Sequence, residues 1–224
     1  MKKTSEERKS ISDEKIKKMG IACNEWLPML EDSSQVKLRS LDDICRRAIA
    51  CLLSTQVACD IQNNDYEKSV QLFTKLLNRY GVKANLNPTE KRLFDGTYSK
   101  QDSVDVEWTY EAYWSLVWAL GLLNDISDSS TICDCEKAIR LVGDCNSYEE
   151  FKQNCKLRDV EEILDMLDLY YRYDWAVTEK RLNPDTPIGN LNPDVVVERR
   201  RGLEWLISDK EKFEDDWFEI SLDT

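Results

Sequence analysis

Between Asp159 and Leu182 the chain reads DVEEILDMLDLYYRYDWAVTEKRL, a helical period with almost no polar side. Glu161, Asp165, Asp168, Arg172 and Glu179 fall within one thin stripe. Nearly everything beside them is Ile, Leu, Met, Tyr, Val or Trp. A helix that is apolar on almost every side has to be enclosed by other helices. Charges carried inward with it must be paired, reach solvent through a gap, or be used, because an isolated buried charge is too costly. The stripe therefore demands neighbours that carry charges of their own.

The rest of the chain supplies such neighbours as further helices. The apolar period is helical almost throughout, and no run of strict alternation stands out. With 7 Gly and 5 Pro in 224 residues, the many tight turns of a β-sandwich are not provided for. The pattern predicts a helix over 5–19 stopped by Gly20, then an extended arm to residue 30 in which Pro28 forbids a helix interior. Ser40 is placed to cap a helix over 41–62, Asp65 to cap the next as far as Gly81, and Asn87-Pro88 to open a short one. Residues 95–103 read as a loop, followed by helices at 104–121, 135–142, 148–155, 159–182 and 193–207. Ser147 with Glu150 reads as a capping box, and Asn192-Pro193 repeats the earlier cap. The segment 183–194 holds three prolines and should be an ordered, irregular crossing loop. The expectation is one irregular all-α domain of about eight helices over 1–224, with 104–121 and 159–182 at its centre. The helix and arm of 1–30 flank it, and Trp217 should pin the tail of 208–224 to the body.

Two of these helices carry charges in positions that match the stripe. In 104–121 the apolar residues point in every direction, and Glu111 interrupts them between Trp114 and Trp118. In 193–207 one face gathers Val195, Val196, Leu203, Leu206 and Ile207, with Arg199 in its middle. Glu198, Arg200, Arg201 and Glu204 are expected to point elsewhere. A lone inward Arg is the natural partner of an inward carboxylate, because its planar fork binds two oxygens at once. The expectation is one shared cluster of Glu111, Asp165, Asp168, Arg172 and Arg199, with Arg158 and Glu198 at its edge. Asp174 sits on the opposite side of its helix, among Ile163, Leu167 and Tyr170.

The segments EWTYEAYWSLVWALGLL (107–123), LRDVEEILDMLDLYYRYDWA (157–176) and VVERRRGLEWL (196–206), with Trp217 and the closing Leu222-Asp223-Thr224, resemble a bacterial family, domain of unknown function 4272. KKMGIACNEWLPMLE (17–31) and RSLDDICRRAIACLL (39–53) are similar to its N-terminal region. The resemblance implies no activity, substrate or cofactor. Its motif positions include Glu111, Arg158, Asp165, Asp168, Arg172, Glu198 and Arg199. Members of that family often carry His where this chain has Asp174; with no His in the sequence, imidazole-based chemistry is excluded here.

Composition narrows the function classes. A net charge of −12 opposes a nucleic-acid role, which needs a basic stripe. No window approaches a membrane span, and the basic N-terminus has no apolar run behind it, so a cytoplasmic chain with eight reduced thiols is expected. Cys133, Cys135, Cys145 and Cys155 lack the paired spacing of zinc ribbons, while Cys51 and Cys59 share the apolar face of their helix. No Gly-rich phosphate loop is present. Glu161, Asp165 and Asp168 at successive turns would suit Mg²⁺ or Mn²⁺, but Arg158 and Arg172 on the same stripe already offset their charge. The reading preferred is a cytoplasmic, non-catalytic binding or protein-interaction module without cofactor or metal; the acidity is read first as an aid to solubility, and a basic protein partner would also fit the charge. The alternative is a hydrolase or transferase that works through the carboxylate cluster, with or without a divalent cation.

Overall fold

Side-chain caps set most of the helix starts. In the computed structural model, which describes residues 2–63, 65–208 and 216–224, nine α-helices are formed among the described residues. They are α1 (Ser5–Lys18), α2 (Leu41–Gln62), α3 (Tyr66–Tyr80), α4 (Pro88–Asp95), α5 (Lys100–Ala119), α6 (Cys135–Gly143), α7 (Tyr148–Gln153), α8 (Val160–Leu182) and α9 (Pro193–Ile207). Two 3₁₀ turns, Lys83–Asn85 and Trp217–Glu219, complete the set. Thr4, Asn87, Ser99 and Asp159 each form a full capping box with the acidic residue three positions on.

Three local expectations need correction. α5 begins at Lys100 instead of 104, because Ser99 and Asp102 form a capping box inside the polar stretch read as a loop. Asp65 precedes α3 but its side chain does not cap it; the carboxylate meets Lys68 at 3.1 Å instead. Ser147 caps α7, yet Glu150 accepts from the Asn146 amide at 2.7 Å, so the box is left half-formed.

The helices pack in the order α1, α8, α9, α5, α2, α3, with the shorter ones at the edges. Both apolar helices read from the sequence are interior: α5 lies between α2 and α9, and α8 between α9 and α1. The α5–α9 crossing depends on Gly202, where an added Cβ would stand 2.5 Å from the Ala112 carbonyl oxygen. The extended arm is held by the crossing loop, through an Ile21–Ile188 bridge and an Ala22 amide donating to the Pro187 carbonyl at 2.7 Å. Trp217 is buried, edge-on to Trp205 at 6.5 Å and beneath the Arg47 guanidinium at 4.5 Å. Part of the predicted tail, 209–215, lies outside the described residues. No helix among the described residues is long and apolar enough to cross a membrane.

Candidate functional site: an ion-paired interior beside an open groove

The inward charges form several separate clasps, each tying different elements together. Arg199 of α9 donates from Nε to Glu111 of α5 at 2.8 Å. Its Nη1 reaches the Ile126 and Asp128 carbonyls at 3.2 and 2.5 Å, and the Tyr170 hydroxyl of α8 at 3.2 Å. The other Glu111 oxygen accepts from the Cys133 amide at 2.6 Å. This clasp anchors the loop between α5 and α6 to three helices.

Arg172 and Asp168, one turn apart on α8, form a two-pronged pair at 3.0 and 2.8 Å. Its third member is Asp13 of α1, 3.3 Å from Arg172 Nε. Earlier on the same face, Arg8 of α1 donates to Glu161 at 2.7 Å and to Asp165 at 3.1 Å, and Lys3 also pairs with Asp165. Asp174 looks the other way, to Arg200 of α9 at 2.5 Å, and Arg200 also donates to the Leu222 and Asp223 carbonyls at 2.7 and 3.1 Å. Glu198 pairs with Arg201 at 3.2 Å, and Arg201 holds the Trp217 carbonyl at 3.1 Å. Arg158 binds the Trp118, Leu123 and Asn124 carbonyls at 2.9, 2.7 and 3.2 Å and meets Glu162 at 3.0 Å.

The single shared cluster is therefore divided. Glu111 is joined to Arg199, and Asp168 to Arg172, but the two pairs face different helices. The charged stripe of α8 turns towards α1, whereas α9 packs on the side that carries Tyr170 and Asp174. Arg8 and Asp13 were missed, although Arg8, Ser12 and Ile16 recur at helical spacing on a buried face. Arg200 was expected outside and is buried, with Val196 and Leu203 on its side of the helix. Arg47 and Glu90, a further buried pair between α2 and α4, were also missed.

Two depressions open beside these clasps. One, of about 320 Å³, is a groove between α1, the start of α8 and the end of α5, with Arg8, Lys15, Trp118, Asp125 and Asp165 among its walls. The other, of about 290 Å³, lies over the 125–134 loop and reaches Arg199 and Cys133.

A family model described as a domain of unknown function (DUF4272) matches residues 8–220. The chain belongs to that family. No curated protein and no solved structure matches it.

In this DUF4272 chain the arrangement offers little reactive chemistry. Burial raises the Asp174 carboxyl above its ordinary value although Arg200 opposes it, and burial does the same to Glu198 against Arg201. Burial works against the Arg199 charge, but Tyr170 and Glu111 outweigh it and raise its pKa. The eight cysteines are free thiols. Burial pushes Cys51 up to about 11 and Cys59 up to about 12, and it raises Cys133 further, with Glu111 adding to the effect. A thiol held protonated in this way is a poor nucleophile. Among the described residues, no three His, Cys, Asp or Glu side chains come together as a cation site.

Proposed function

We propose that this protein acts by binding, as a non-catalytic interaction module for a basic protein partner. The observation that carries the reading is how the interior charges are spent. Among the described residues six arginines and six Asp or Glu are buried. The interior is thus electrically balanced, and the net charge of −12 is left to the remainder of the chain. The inward carboxylates Glu111, Asp168 and Asp174 are each held by an arginine, as structural pairs require. An acidic exterior speeds encounter with a cationic partner and repels acidic ones.

One observation favours the enzyme reading instead. Asp165 keeps 34% of its side chain exposed at the mouth of the groove, open to a substrate or cation. Calorimetric titration separates the two. A lysine-rich peptide should bind saturably and more weakly as salt rises, while Mg²⁺ and Mn²⁺ give no saturable heat. Peptide heat that never saturates removes the interaction reading. Saturable Mg²⁺ or Mn²⁺ binding that disappears in Asp165→Asn moves the assignment to a hydrolase or transferase.

A further inference from the structure

The arm between α1 and α2 presents a tryptophan that the fold does not use. Trp26 is 93% exposed, while Leu27 beside it is buried at 6%. Exposed leucines or methionines are common on any surface, but tryptophan is highly buried on average, so an indole standing in water is unusual. Met19 and Met29 are exposed as well, which puts three of the nine exposed large hydrophobics of the described residues between positions 19 and 29. The indole is carried on a fixed turn. The Trp26 amide donates to the Asn24 side chain at 3.0 Å and the Leu27 amide to the Asn24 carbonyl at 3.2 Å. Pro28 restricts the backbone just after it. The arm is fastened on both sides of this turn, by the Ala22–Pro187 hydrogen bond before it and by Ser5 donating to Asp32 at 2.8 Å after it.

The charge around the indole is one-sided. Residues 19–36 hold Glu25, Glu31 and Asp32 and no Lys or Arg, and the stretch 183–190, with which the arm pairs, adds Asp185 and no cation. Glu25 is answered by Lys17 at 2.5 Å, but Glu31 and Asp32 form no ion pair among the described residues. We propose that Trp26 and Met29 form the contact by which the basic partner is held. The indole enters an apolar pocket of that partner, and lysines or arginines at the rim of the pocket face Glu31 and Asp32. The inference rests on the interaction reading and gives it a place on the surface. A tryptophan suits an interface anchor because it offers a large apolar area with few side-chain rotations to freeze. The fixed turn removes a further cost, since the backbone that carries the indole is already ordered. Acidic neighbours favour a cationic rim and repel both an acidic protein surface and an anionic bilayer.

The test is calorimetry with two peptides of equal charge: oligolysine, and a helical peptide with leucines along one face and lysines on the other. The leucine–lysine peptide should bind the wild-type chain at least ~10-fold more tightly than oligolysine, the effect of one anchor side chain. Trp26→Ser should remove that advantage and leave the affinity for oligolysine unchanged. Because Trp26 stands in water, the variant should melt at the wild-type temperature. Leu72→Ser, which removes an exposed apolar side chain from α3, should keep the advantage. Oligolysine binding with no such advantage, or an advantage that survives Trp26→Ser, overturns the Trp26 contact and leaves the interaction reading standing. Saturable binding of neither peptide removes both. An advantage lost equally in Leu72→Ser, or a melting temperature lowered by Trp26→Ser, also overturns the contact. So does a wild-type dimer, or attachment to phosphatidylcholine vesicles, that Trp26→Ser abolishes, since the indole then serves a second copy or a bilayer.

Discussion

Arg199 couples three helices and a loop through one guanidinium. It is 3% exposed and joins α9 to Glu111 of α5, to Tyr170 of α8 and to carbonyls of the loop between α5 and α6. Arg199→Met would leave the Glu111 carboxylate buried with only the Cys133 amide to satisfy it. The expected loss is about 3–5 kcal/mol by urea denaturation. Glu111→Gln combined with Arg199→Met should recover part of it, because the stranded charge is then gone. If the double variant loses the full sum of the two single effects, the pair is not coupled. Glu111 and Arg199 were legible in the sequence because each is a lone charge on an apolar face. Arg200 was not, since it stands in a run of three arginines and, apart from Glu204 one turn on at 3.3 Å, its acceptors, Asp174 and the Leu222 and Asp223 carbonyls, lie more than twenty residues away. Arg8 and Asp13 were missed for a related reason: α1 is polar enough to pass for a solvated helix, and only its docking on α8 shows which charges turn inward.

Helix ends were the most legible elements, because a cap is a local contact that needs no tertiary information. Ser99 shows the limit of that reading, since its box with Asp102 was hidden in a stretch that composition marks as loop. Asp102 also accepts two hydrogen bonds from Arg92 of α4, at 3.1 and 2.7 Å. The Arg92 hydrogen bond, opposed by burial and helped by Ser99, lowers its carboxyl from 3.8 to about 2. The folded value is depressed, so the stabilisation is present above the unfolded value and is lost as pH falls through about 2. The difference in melting temperature between wild type and Asp102→Asn should accordingly shrink as pH falls from 3.8 to about 2. A difference that stays constant across that window assigns Asp102 no ionic role. Gly202 poses the opposite problem for sequence reading. A glycine inside a helix argues against helix on propensity alone, yet here it permits α9 to approach α5. Gly202→Ala would place a methyl group 2.5 Å from the Ala112 carbonyl oxygen, and helix backbone cannot step aside cheaply. A cost of roughly 1–3 kcal/mol is expected in thermal or urea unfolding. A gain, as helix propensity alone would give, would show that the crossing is looser than described.

At the scale of the whole molecule, helical period and the want of strand patterns were enough to fix an all-α class. The order of the helices was not readable, because it depends on which charged face meets which, and a wheel gives direction without naming the neighbour. That is why one expected cluster became several clasps distributed over successive interfaces. Trp217 closes this assembly from the far end of the chain. It packs edge-on against Trp205 of α9, lies under Arg47 of α2, and its carbonyl accepts from Arg201. Trp217→Ala should cost about 3–5 kcal/mol, as large-to-small changes of a buried aromatic do. Trp217→Phe is the more discriminating variant. It keeps a ring beneath Arg47 and beside Trp205, and it removes the indole Nε1, a buried donor with no hydrogen-bond partner among the described residues. Losing an unsatisfied donor offsets some of the lost contact, so Trp217→Phe should cost well under half of the alanine change. Equal losses in the two variants, measured by thermal denaturation, would mean that the indole nitrogen holds the tail through a partner of its own.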